Sequence, residues 1–348
     1  MNNYIDPPNK LLKHTDRVAD IMNETPVIPI NVEIDLTNRC NLGCQGCHMA
    51  YLHSRGVHAK RRTHETGDIM DTELAISIVR QLAAVGVRSI TWTGGGEPTL
   101  HPDIAEIIRY TLIPQGIYTN GVQVTPELAS LLKIHMDWVY VSLDRHDRDG
   151  YMKYKAADKF NAACTGIRNL VKSPGGATIG VGFLLSRANW GDGWDMIHLA
   201  EDLGVDYVQF RPEVEYDPAH PDMAIHDNTW LKPCIQWLDG IKDRRGVQVD
   251  TSRFEMYRNW GGHPYRTCYW SQLQTVITPD GRVWVCCNRR GYKDSAWGDL
   301  KLESFADIVD RIRAWKVDNQ CRVMCRGHIP NITLNRIMEP RGGHDDFV

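Results

Sequence analysis

The stretch VEIDLTNRCNLGCQGC, residues 32–47, decides how the rest of the chain is organised. Its first five residues alternate apolar and polar side chains, a period of two that predicts a β-strand with one face in a core. Polar turn residues follow, so Cys40, Cys44 and Cys47 are expected on a loop at the carboxyl end of that strand. Three thiolates can hold three corners of a [4Fe–4S] cluster and leave the fourth iron free to bind another molecule.

A structural zinc site is the alternative interpretation of this loop. Tetrahedral zinc normally takes four protein ligands, and no fourth cysteine follows within the loop. His48 could supply the missing ligand, so the three cysteines leave both kinds of metal centre open.

The C-x3-C-x2-C spacing after a first strand resembles the cluster loop of the radical S-adenosylmethionine (SAM) superfamily. The resemblance implies that the amino and carboxyl groups of SAM chelate the open iron. It also implies that the reduced cluster cleaves SAM to a 5′-deoxyadenosyl radical, which abstracts a hydrogen atom from the substrate. One position departs from the family pattern, because the residue before the third cysteine is usually aromatic and is Gly46 here. His48 or Tyr51 could then supply the contact to adenine.

Length and composition limit the classes of protein to which this chain can belong. A chain of 348 residues can form one large domain and a smaller one, and 42% hydrophobic and 24% charged residues are typical of soluble globular proteins. No run of about 18 apolar residues exists, so no membrane span is predicted. The net charge of −3 argues against a nucleic-acid partner. Ten cysteines without a secretion signal indicate metal ligands in a reducing cytoplasm rather than disulfides.

Strand and helix patterns alternate regularly between residues 31 and 212. Such alternation implies a parallel sheet with right-handed crossovers. Six strand–helix units instead of eight give an α/β fold with a partial (β/α)6 TIM-like barrel, which the resemblance also implies, and a site at the carboxyl ends of the strands. A small α+β domain is expected to follow. The predicted segments are 1–30, an N-terminal helical extension; 31–212, the barrel; 213–265, a connection; and 266–348, the auxiliary domain with a C-terminal tail.

Short motifs at the predicted strand ends match the same family. The GGGEP loop, residues 94–98, looks like the family's GGE motif, and the TNG, VSLD and fifth-strand segments resemble further SAM-binding segments. The resemblance assigns contacts with SAM to Gly95, Gly96, Glu97, Thr119, Ser142 and Asn189. Arg211, a charged residue ending an apolar strand, could bind the SAM carboxylate or the substrate. The alternative for the residues beyond the GGE loop is a turn or cap role, and Asp144, which could be a surface turn residue, is left outside the site.

A second set of cysteines lies in the last third of the chain. Residues 275–285 read as two strands around a Pro-Asp-Gly turn, which predicts a β-hairpin, and a helix is predicted over residues 304–315. This part looks like the twitch domain, a shortened form of the SPASM extension, and the match implies a fully ligated auxiliary [4Fe–4S] cluster. The ligands it assigns are Cys268, Cys286, Cys321 and Cys325. Structural zinc bound by four cysteines is the alternative.

Three further cysteines remain. Cys287 follows Cys286, and neighbouring side chains in a strand point in opposite directions. In radical SAM epimerases a free cysteine donates the hydrogen atom that quenches the substrate radical, and Cys287 is the candidate for that role. A packed spectator is the alternative, since free cysteines are usually buried and inert. Cys164 and Cys234 are predicted to be such buried thiols.

The predicted function is that of a radical SAM enzyme acting on a small polar, possibly anionic, substrate such as a sugar, aminocyclitol or nucleoside. Oxidation or epimerisation in natural-product or cofactor biosynthesis is expected, with an electron donor such as flavodoxin or ferredoxin. About thirty residues precede the cluster strand, too few for a separate peptide-recognition domain. The basic loop over residues 48–68 is either a lid whose cations bind a substrate carboxylate or phosphate, or a solvated segment. Peptide epimerisation or cross-linking is the first alternative function, and a non-catalytic iron–sulfur or zinc protein is the alternative from another class.

Overall fold

The computed structural model describes residues 7–47, 68–213, 215–216, 224–225, 228–241, 246–257, 262–292, 294–317, 321, 325–340 and 342. His48, Tyr51 and all but the last residue of the basic loop lie outside this range, so the expectations made for them stay predictions.

Six strands and eight helices are described up to residue 212. The strands are β1 Asn31–Asp35, β2 Ser89–Thr93, β3 Gln115–Thr119, β4 Trp138–Ser142, β5 Thr178–Leu185 and β6 Tyr207–Pro212. The helices are α1 Pro7–Leu11, α2 Thr15–Met22, α3 Thr72–Val85, α4 Ile104–Tyr110, α5 Pro126–His135, α6 Arg148–Lys155, α7 Phe160–Lys172 and α8 Gly193–Leu203. Local chemistry sets their ends, as in α3, where the Asp71 carboxylate accepts a hydrogen bond from the Leu74 amide and Gly86 ends the helix with φ of +90°.

Most of the described elements beyond residue 212 are shorter. The strands are β7 Glu215–Tyr216, β8 Ala224–Ile225, β9 Gln248–Asp250, β10 Thr267–Cys268, β11 Gln274–Ile277, β12 Arg282–Trp284, β13 Ala296–Asp299 and β14 Trp315–Lys316. The helices are α9 Asn228–Ile241, α10 Ser252–Glu255, α11 Trp270–Leu273, α12 Phe305–Val309 and α13 His328–Met338.

One ten-stranded sheet organises the molecule, in the order β13-β12-β11-β1-β2-β3-β4-β5-β6-β9. The eight strands from β11 to β9 pair in parallel, while β12 and β13 are antiparallel. The six predicted barrel strands are therefore confirmed, and β9 and β11 extend the parallel series at its two edges. Because β11 is the first strand of the predicted hairpin, the hairpin continues the barrel sheet instead of standing apart from it.

The two faces of β1 have different neighbours. Val32 and Ile34 are fully buried in the main hydrophobic cluster, which also contains α3 and the other barrel helices. Glu33 and Asp35 point to the opposite face, the barrel interior, and are buried as well. The alternating pattern thus predicted the strand correctly, although both of its faces are buried.

Aromatic rings fill part of the barrel interior because neighbouring strands carry glycines. A Cβ atom on Gly182 would lie 1.5 Å from the Tyr140 hydroxyl oxygen, and one on Gly180 would lie 2.1 Å from the Tyr207 ring. Tyr118 packs edge-to-face against Tyr140, with the ring centroids 5.0 Å apart.

The predicted helix over residues 304–315 is too long. It begins as expected, because Ser304 and Asp307 form a capping box, but α12 ends at Val309. Trp315 instead lies in β14 and pairs with Cys268 of β10. Among the residues that the structure describes, none of the helices combines the length and the apolar character needed to span a lipid bilayer.

The hairpin and the barrel are expected to unfold together, because Ile277 of β11 is fully buried in the main cluster. Ile277→Ala should destabilise the protein by about 2 to 5 kcal/mol and shift one cooperative transition in guanidinium, followed by far-UV circular dichroism and tryptophan fluorescence. Ile134→Ala, at a side chain that is 64% exposed, should change stability by less than about 0.5 kcal/mol. Two transitions, of which only one moves, would show that the hairpin is an independent unit.

Candidate active site

The loop after β1 carries Cys40, Cys44 and Cys47, and the end of α6 holds it in place. The Gly43 amide donates a hydrogen bond to the Lys155 carbonyl oxygen at 2.8 Å, and the Gln45 amide donates one to the Tyr154 carbonyl oxygen at 2.9 Å. The last carbonyl groups of a helix have no partner within that helix. The cluster loop supplies donors for them, so α6, which the sequence reasoning did not identify, fixes the backbone around Cys44.

A buried ion pair lies beneath this contact. The Lys155 ammonium donates hydrogen bonds to the Asp144 carboxylate and to the Ser142 carbonyl oxygen, and the Leu184 amide donates to the other Asp144 oxygen at 3.1 Å. Burial alone would lower the pKa of Lys155, but the Asp144 carboxylate and the Cys44 sulfur outweigh it, so its pKa is raised. The surface-turn interpretation of Asp144 is therefore wrong. Its side chain is 4% exposed, and its φ of +65° is one that Asp tolerates better than most residues.

The burial of Cys44 raises the pKa of its thiol to about 11, against the opposing effect of the nearby Lys155 charge. Cys40 also has a raised pKa, from burial first and from the Glu97 and Cys47 charges after it. The three thiols are thus close enough to interact electrostatically, and a bound cationic centre would favour their thiolate forms.

The glycine-rich loop after β2 is bonded to the start of the cluster loop. The Gly96 amide donates to the Thr37 carbonyl oxygen at 2.9 Å and the Glu97 amide donates to the Arg39 carbonyl oxygen at 2.8 Å. A Cβ atom on Gly96 would lie 1.9 Å from the Arg39 carbonyl oxygen, so only glycine fits at this position. The GGE loop therefore sits directly against the cysteine loop, where the sequence motifs predicted it.

The Glu97 carboxylate connects three loops. It accepts hydrogen bonds from the Thr99 amide and hydroxyl, from the Thr119 hydroxyl at 2.6 Å and from the Asn120 amide at 2.6 Å. Burial raises the pKa of Glu97 despite these bonds. The side-chain amide of Asn120 in turn donates a hydrogen bond to the side-chain oxygen (Oδ1) of Asn41 at 2.7 Å. Sequence reasoning missed Asn41 and Asn120, although both belong to the turns that carried the motifs.

The other residues predicted to bind SAM lie at the carboxyl ends of β4, β5 and β6. The Asn189 side chain accepts hydrogen bonds from the Ser186 amide and hydroxyl and donates to the Leu184 carbonyl oxygen, so it shapes its own turn. The Arg211 guanidinium carbon lies 4.9 Å from the centroid of the Tyr140 ring. The roles of Gly95, Gly96, Glu97, Thr119, Ser142, Asn189 and Arg211 toward SAM stay predictions.

The glycine that departs from the family pattern has a local explanation. A Cβ atom on Gly46 would lie 2.2 Å from the Tyr154 hydroxyl and 2.3 Å from the Glu213 carboxylate. The Tyr154 hydroxyl donates to that carboxylate at 3.0 Å. Side chains from α6 and from the end of the barrel therefore occupy the space that an aromatic residue at position 46 would need.

The auxiliary cysteines come together from three separate segments. Cys268 lies in β10, Cys286 follows β12, and Cys325 precedes α13, with Cys321 nearby. Burial raises the pKa of Cys286, and the neighbouring thiols Cys287, Cys321, Cys325 and Cys268 raise it further. The pKa of Cys268 is raised for the same reasons, with Cys325 and Cys321 as the neighbouring thiols.

Cys287 lies beside the auxiliary cysteines, but it is not part of a strand as the sequence predicted. Strand β12 ends at Trp284, so Cys286 and Cys287 lie in a turn and the expected alternation of a strand does not apply. The Cys287 sulfur lies 3.9 Å from an Arg326 guanidinium nitrogen, and Arg326 lines the barrel interior. Its partly buried thiol therefore faces the interior from the auxiliary side. Cys164 and Cys234 are buried in the core, as predicted.

Both cysteine sets have the chemistry of thiolate metal ligands. Each set is buried enough to raise the pKa of its thiols, and the thiols within each set interact electrostatically. Within the described part of the chain, however, no three Cys, His, Asp or Glu side chains are close enough together to hold a single metal ion.

A cavity of about 510 Å³ occupies the barrel interior. Its wall combines residues at the amino ends of the strands, including Asn31 and Tyr207, with Gln209, Arg253 and Arg326. Arg326 also pairs with Glu33 of β1. The cavity has the size of a small-molecule site, and its wall is mainly apolar, with aromatic rings and a few polar side chains.

The close fit of the GGE loop to the cluster loop leads to a prediction. Gly96→Ala should force the two loops apart, cost about 1 to 3 kcal/mol and lower the iron content of the reconstituted protein by the share that Cys40, Cys44 and Cys47 bind. Gly176→Ala is the matched control, because no atom lies within 4 Å of a Cβ at that position. Full iron content and unchanged stability in Gly96→Ala would contradict the proposed packing.

Comparisons with known proteins agree with these features. The radical SAM superfamily profile matches residues 34–200, and SPASM, an iron–sulfur cluster-binding domain, matches residues 268–327. A GTP 3′,8-cyclase from Chlorobaculum tepidum is 30% identical over 189 residues, which cover 52% of this chain and 53% of that protein. A PqqA peptide cyclase from Gluconobacter oxydans is 24% identical over 299 residues, which cover 81% of this chain and 77% of that protein. The chain thus spans about half the length of the first of these relatives.

Solved structures show the same fold. The crystal structure of Streptococcus suis SuiB bound to S-adenosylmethionine matches with a TM-score of 0.64 at 16% identity, over 92% of this chain and 74% of that chain. Native anSMEcpe with bound AdoMet matches with a TM-score of 0.57 at 16% identity, over 84% of this chain and 82% of that chain. The family predicted from the cysteine spacing and the GGE loop is confirmed: the chain belongs to the radical SAM superfamily and carries a C-terminal SPASM-type domain, so its cofactors are SAM, the [4Fe–4S] cluster that binds SAM, and an auxiliary iron–sulfur cluster.

Proposed function

We propose that this chain abstracts a hydrogen atom from a small polar substrate held in the barrel interior, in natural-product or cofactor biosynthesis. When bound, the reduced cluster and SAM supply the 5′-deoxyadenosyl radical for this step. The observation that carries the proposal is the cavity of about 510 Å³, whose volume suits a small molecule such as a sugar, aminocyclitol or nucleoside. The polar side chains of its wall, such as Gln209, Arg253 and Arg326, would orient such a substrate.

The residues have separate roles in this proposal. Cys40, Cys44 and Cys47 hold the cluster, and the GGE loop receives the SAM amino group. Lys155 keeps the cluster loop against β4 through Asp144 and the Ser142 carbonyl oxygen. The carboxyl ends of the strands carry these groups, whereas residues at the amino ends of the strands, such as Asn31 and Tyr207, line part of the cavity.

The auxiliary domain supports net oxidation as one outcome. Cys268, Cys286, Cys321 and Cys325 would hold a cluster near the same interior, and such a cluster can accept an electron from a substrate radical. An external donor such as flavodoxin or ferredoxin would reduce the SAM-binding cluster, and we place the reaction in the cytoplasm, where thiol ligands stay reduced. Epimerisation is the other outcome, with the Cys287 thiol as hydrogen donor.

Peptide modification is the second candidate function. The relative named PqqA peptide cyclase matches over 81% of this chain, and relatives named GTP 3′,8-cyclase match over 52% to 74% of it. The volume of the barrel cavity, about 510 Å³, favours a small molecule. A peptide would have to place one residue into this cavity from the carboxyl ends of the strands.

Iron analysis tests the assignment of both cysteine sets. Anaerobically reconstituted wild type should contain about eight irons, and the Cys40/Cys44/Cys47→Ala triple variant about four. With SAM and dithionite, only wild type should form 5′-deoxyadenosine. Zinc in place of iron, with SAM left intact, would return the chain to a structural-metal role.

The role of Cys287 separates the two reaction outcomes. In an epimerase, Cys287→Ala should still form 5′-deoxyadenosine but reduce the yield of inverted product to background, because no thiol hydrogen is available to quench the substrate radical. In a dehydrogenase the same variant should keep its activity. Cys164→Ala, at a core thiol away from the cavity, is the control. An active Cys287→Ala enzyme that still inverts its substrate would exclude Cys287 as the hydrogen donor.

A further inference from the structure

The charges that line the barrel cavity do not balance. Lys10, Arg253 and Arg326 are cationic and Asp137 is the one carboxylate among the described lining residues. Asp137 is exposed and directly precedes β4, so it lies toward the amino ends of the strands. The two arginines come instead from segments that follow the barrel strands, and the region around them carries an excess of positive charge.

Arg253, in α10, has no hydrogen bond or ion pair with any residue that the structure describes. The nearest carboxylate is Asp250, which accepts hydrogen bonds from the Gln209 side-chain amide at 2.6 Å and from the Ser252 amide at 2.9 Å. Burial lowers the pKa of Arg253, and the charges of Arg326 and Arg211 lower it further. Its guanidinium group lines the cavity with its N–H donors unused, and the charge of the Asp250 carboxylate offsets its own charge only in part.

Arg326 brings a second guanidinium group to the same space. One of its nitrogens pairs with Glu33 and lies 3.9 Å from the Cys287 sulfur. Glu33 balances the charge of Arg326, but a guanidinium group has five N–H donors in a planar fork. Arg326 therefore has N–H donors that the pair with Glu33 does not use. They lie beside Arg253, whose five N–H donors have no described partner.

The rest of the cavity wall is aromatic. Tyr118, Trp138, Tyr140, Tyr207 and Trp270 line it. The Tyr140 hydroxyl is buried and has no hydrogen-bond partner among the described residues. This hydroxyl packs against Gly182 of β5 and has almost no accessible surface, so Tyr140 contributes its ring, and not its hydroxyl, to the cavity wall.

We propose that the cavity binds a substrate that carries a carboxylate or a phosphate, held by Arg253 and Arg326, and a flat body that lies among the aromatic rings. Planar guanidinium forks match both oxyanions by paired N–H donors. The oxyanion would accept the N–H donors that Arg253 leaves unused, and the rings would contribute apolar contact area. This assignment rests on the proposed function, since it names the chemical class of the small molecule that the radical would attack.

Direct binding tests the proposal without turnover. Phenyl phosphate and benzoate are titrated by calorimetry into the reconstituted holoenzyme, with neutral benzyl alcohol as the uncharged comparison. We expect at least one anion to bind at least about tenfold more tightly than the alcohol, and the tighter of the two identifies the oxyanion as phosphate or carboxylate.

The variants separate a ligand role of Arg253 from a structural one. Arg253→Gln should weaken anion binding by about tenfold or more, and Arg253→Lys, which keeps the charge but loses the fork, by less. Because Arg253 has no described partner, Arg253→Gln should melt at the wild-type temperature or above. Arg80→Gln removes an exposed arginine of α3 outside the cavity and should change neither property.

The outcomes distinguish this inference from the function on which it rests. Failure of both anions to bind, binding of the alcohol as tight as that of the anions, or unchanged anion binding in Arg253→Gln would each overturn the anion site. A lower melting temperature of Arg253→Gln with unchanged binding would make Arg253 structural. Formation of 5′-deoxyadenosine on the same preparation is measured separately, so that its absence would count against the proposed radical chemistry alone.

Discussion

Two buried ion pairs join the strand that begins the barrel to the domain that ends the chain. Glu33 and Asp35 of β1 face the barrel interior, and Arg326 and Arg290 pair with them. The Asp35–Arg290 pair is almost fully withdrawn from solvent, with side-chain exposures of 0% and 6%. Loss of one partner of such a pair leaves a buried charge and typically costs about 3 to 5 kcal/mol. A barrel with these carboxylates inside therefore requires the arginines of the C-terminal domain.

This requirement also places the two cysteine sets relative to each other. Asp35 lies five residues before Cys40, while Arg290 follows Cys286 by four residues and Arg326 adjoins Cys325. Strand β1 additionally pairs in parallel with β11, the first strand of the auxiliary hairpin. One strand thus holds the cluster loop at its end and the auxiliary segments along its edge and interior face. Both metal centres are built on the same rigid element, which is how a site keeps its geometry when its ligands come from distant parts of a chain.

Local patterns in the sequence were sufficient for the elements that depend on local chemistry. The alternation of apolar and polar residues located β1, and the start of α12 was evident from Ser304 and the apolar residues after it. The length of α12 was predicted wrongly, because Trp315 is used in pairing with β10, a segment about 45 residues earlier. Asp144 was misjudged for a similar reason. Its neighbours in sequence suggest a turn at the surface, but the Lys155 ammonium and the Leu184 amide bury it from two other elements.

The pairing of charged residues in the barrel interior could not be predicted from the sequence. Buried strand faces are normally apolar, but the inner face of β1 carries Glu33 and Asp35. Their charges are balanced by Arg326 and Arg290, which lie 293 and 255 residues later in the chain. Such long-range compensation has no local signature. Arg253 goes one step further, because it forms no hydrogen bond or ion pair with a described residue and the Asp250 carboxylate offsets its charge only in part. Natural proteins tolerate such a partly compensated group mainly where function requires it, since an isolated buried charge otherwise lowers stability. With the proposed anion site, the interior of this barrel is a binding surface as well as a core, and its stability and its function make opposite demands on the same few charges.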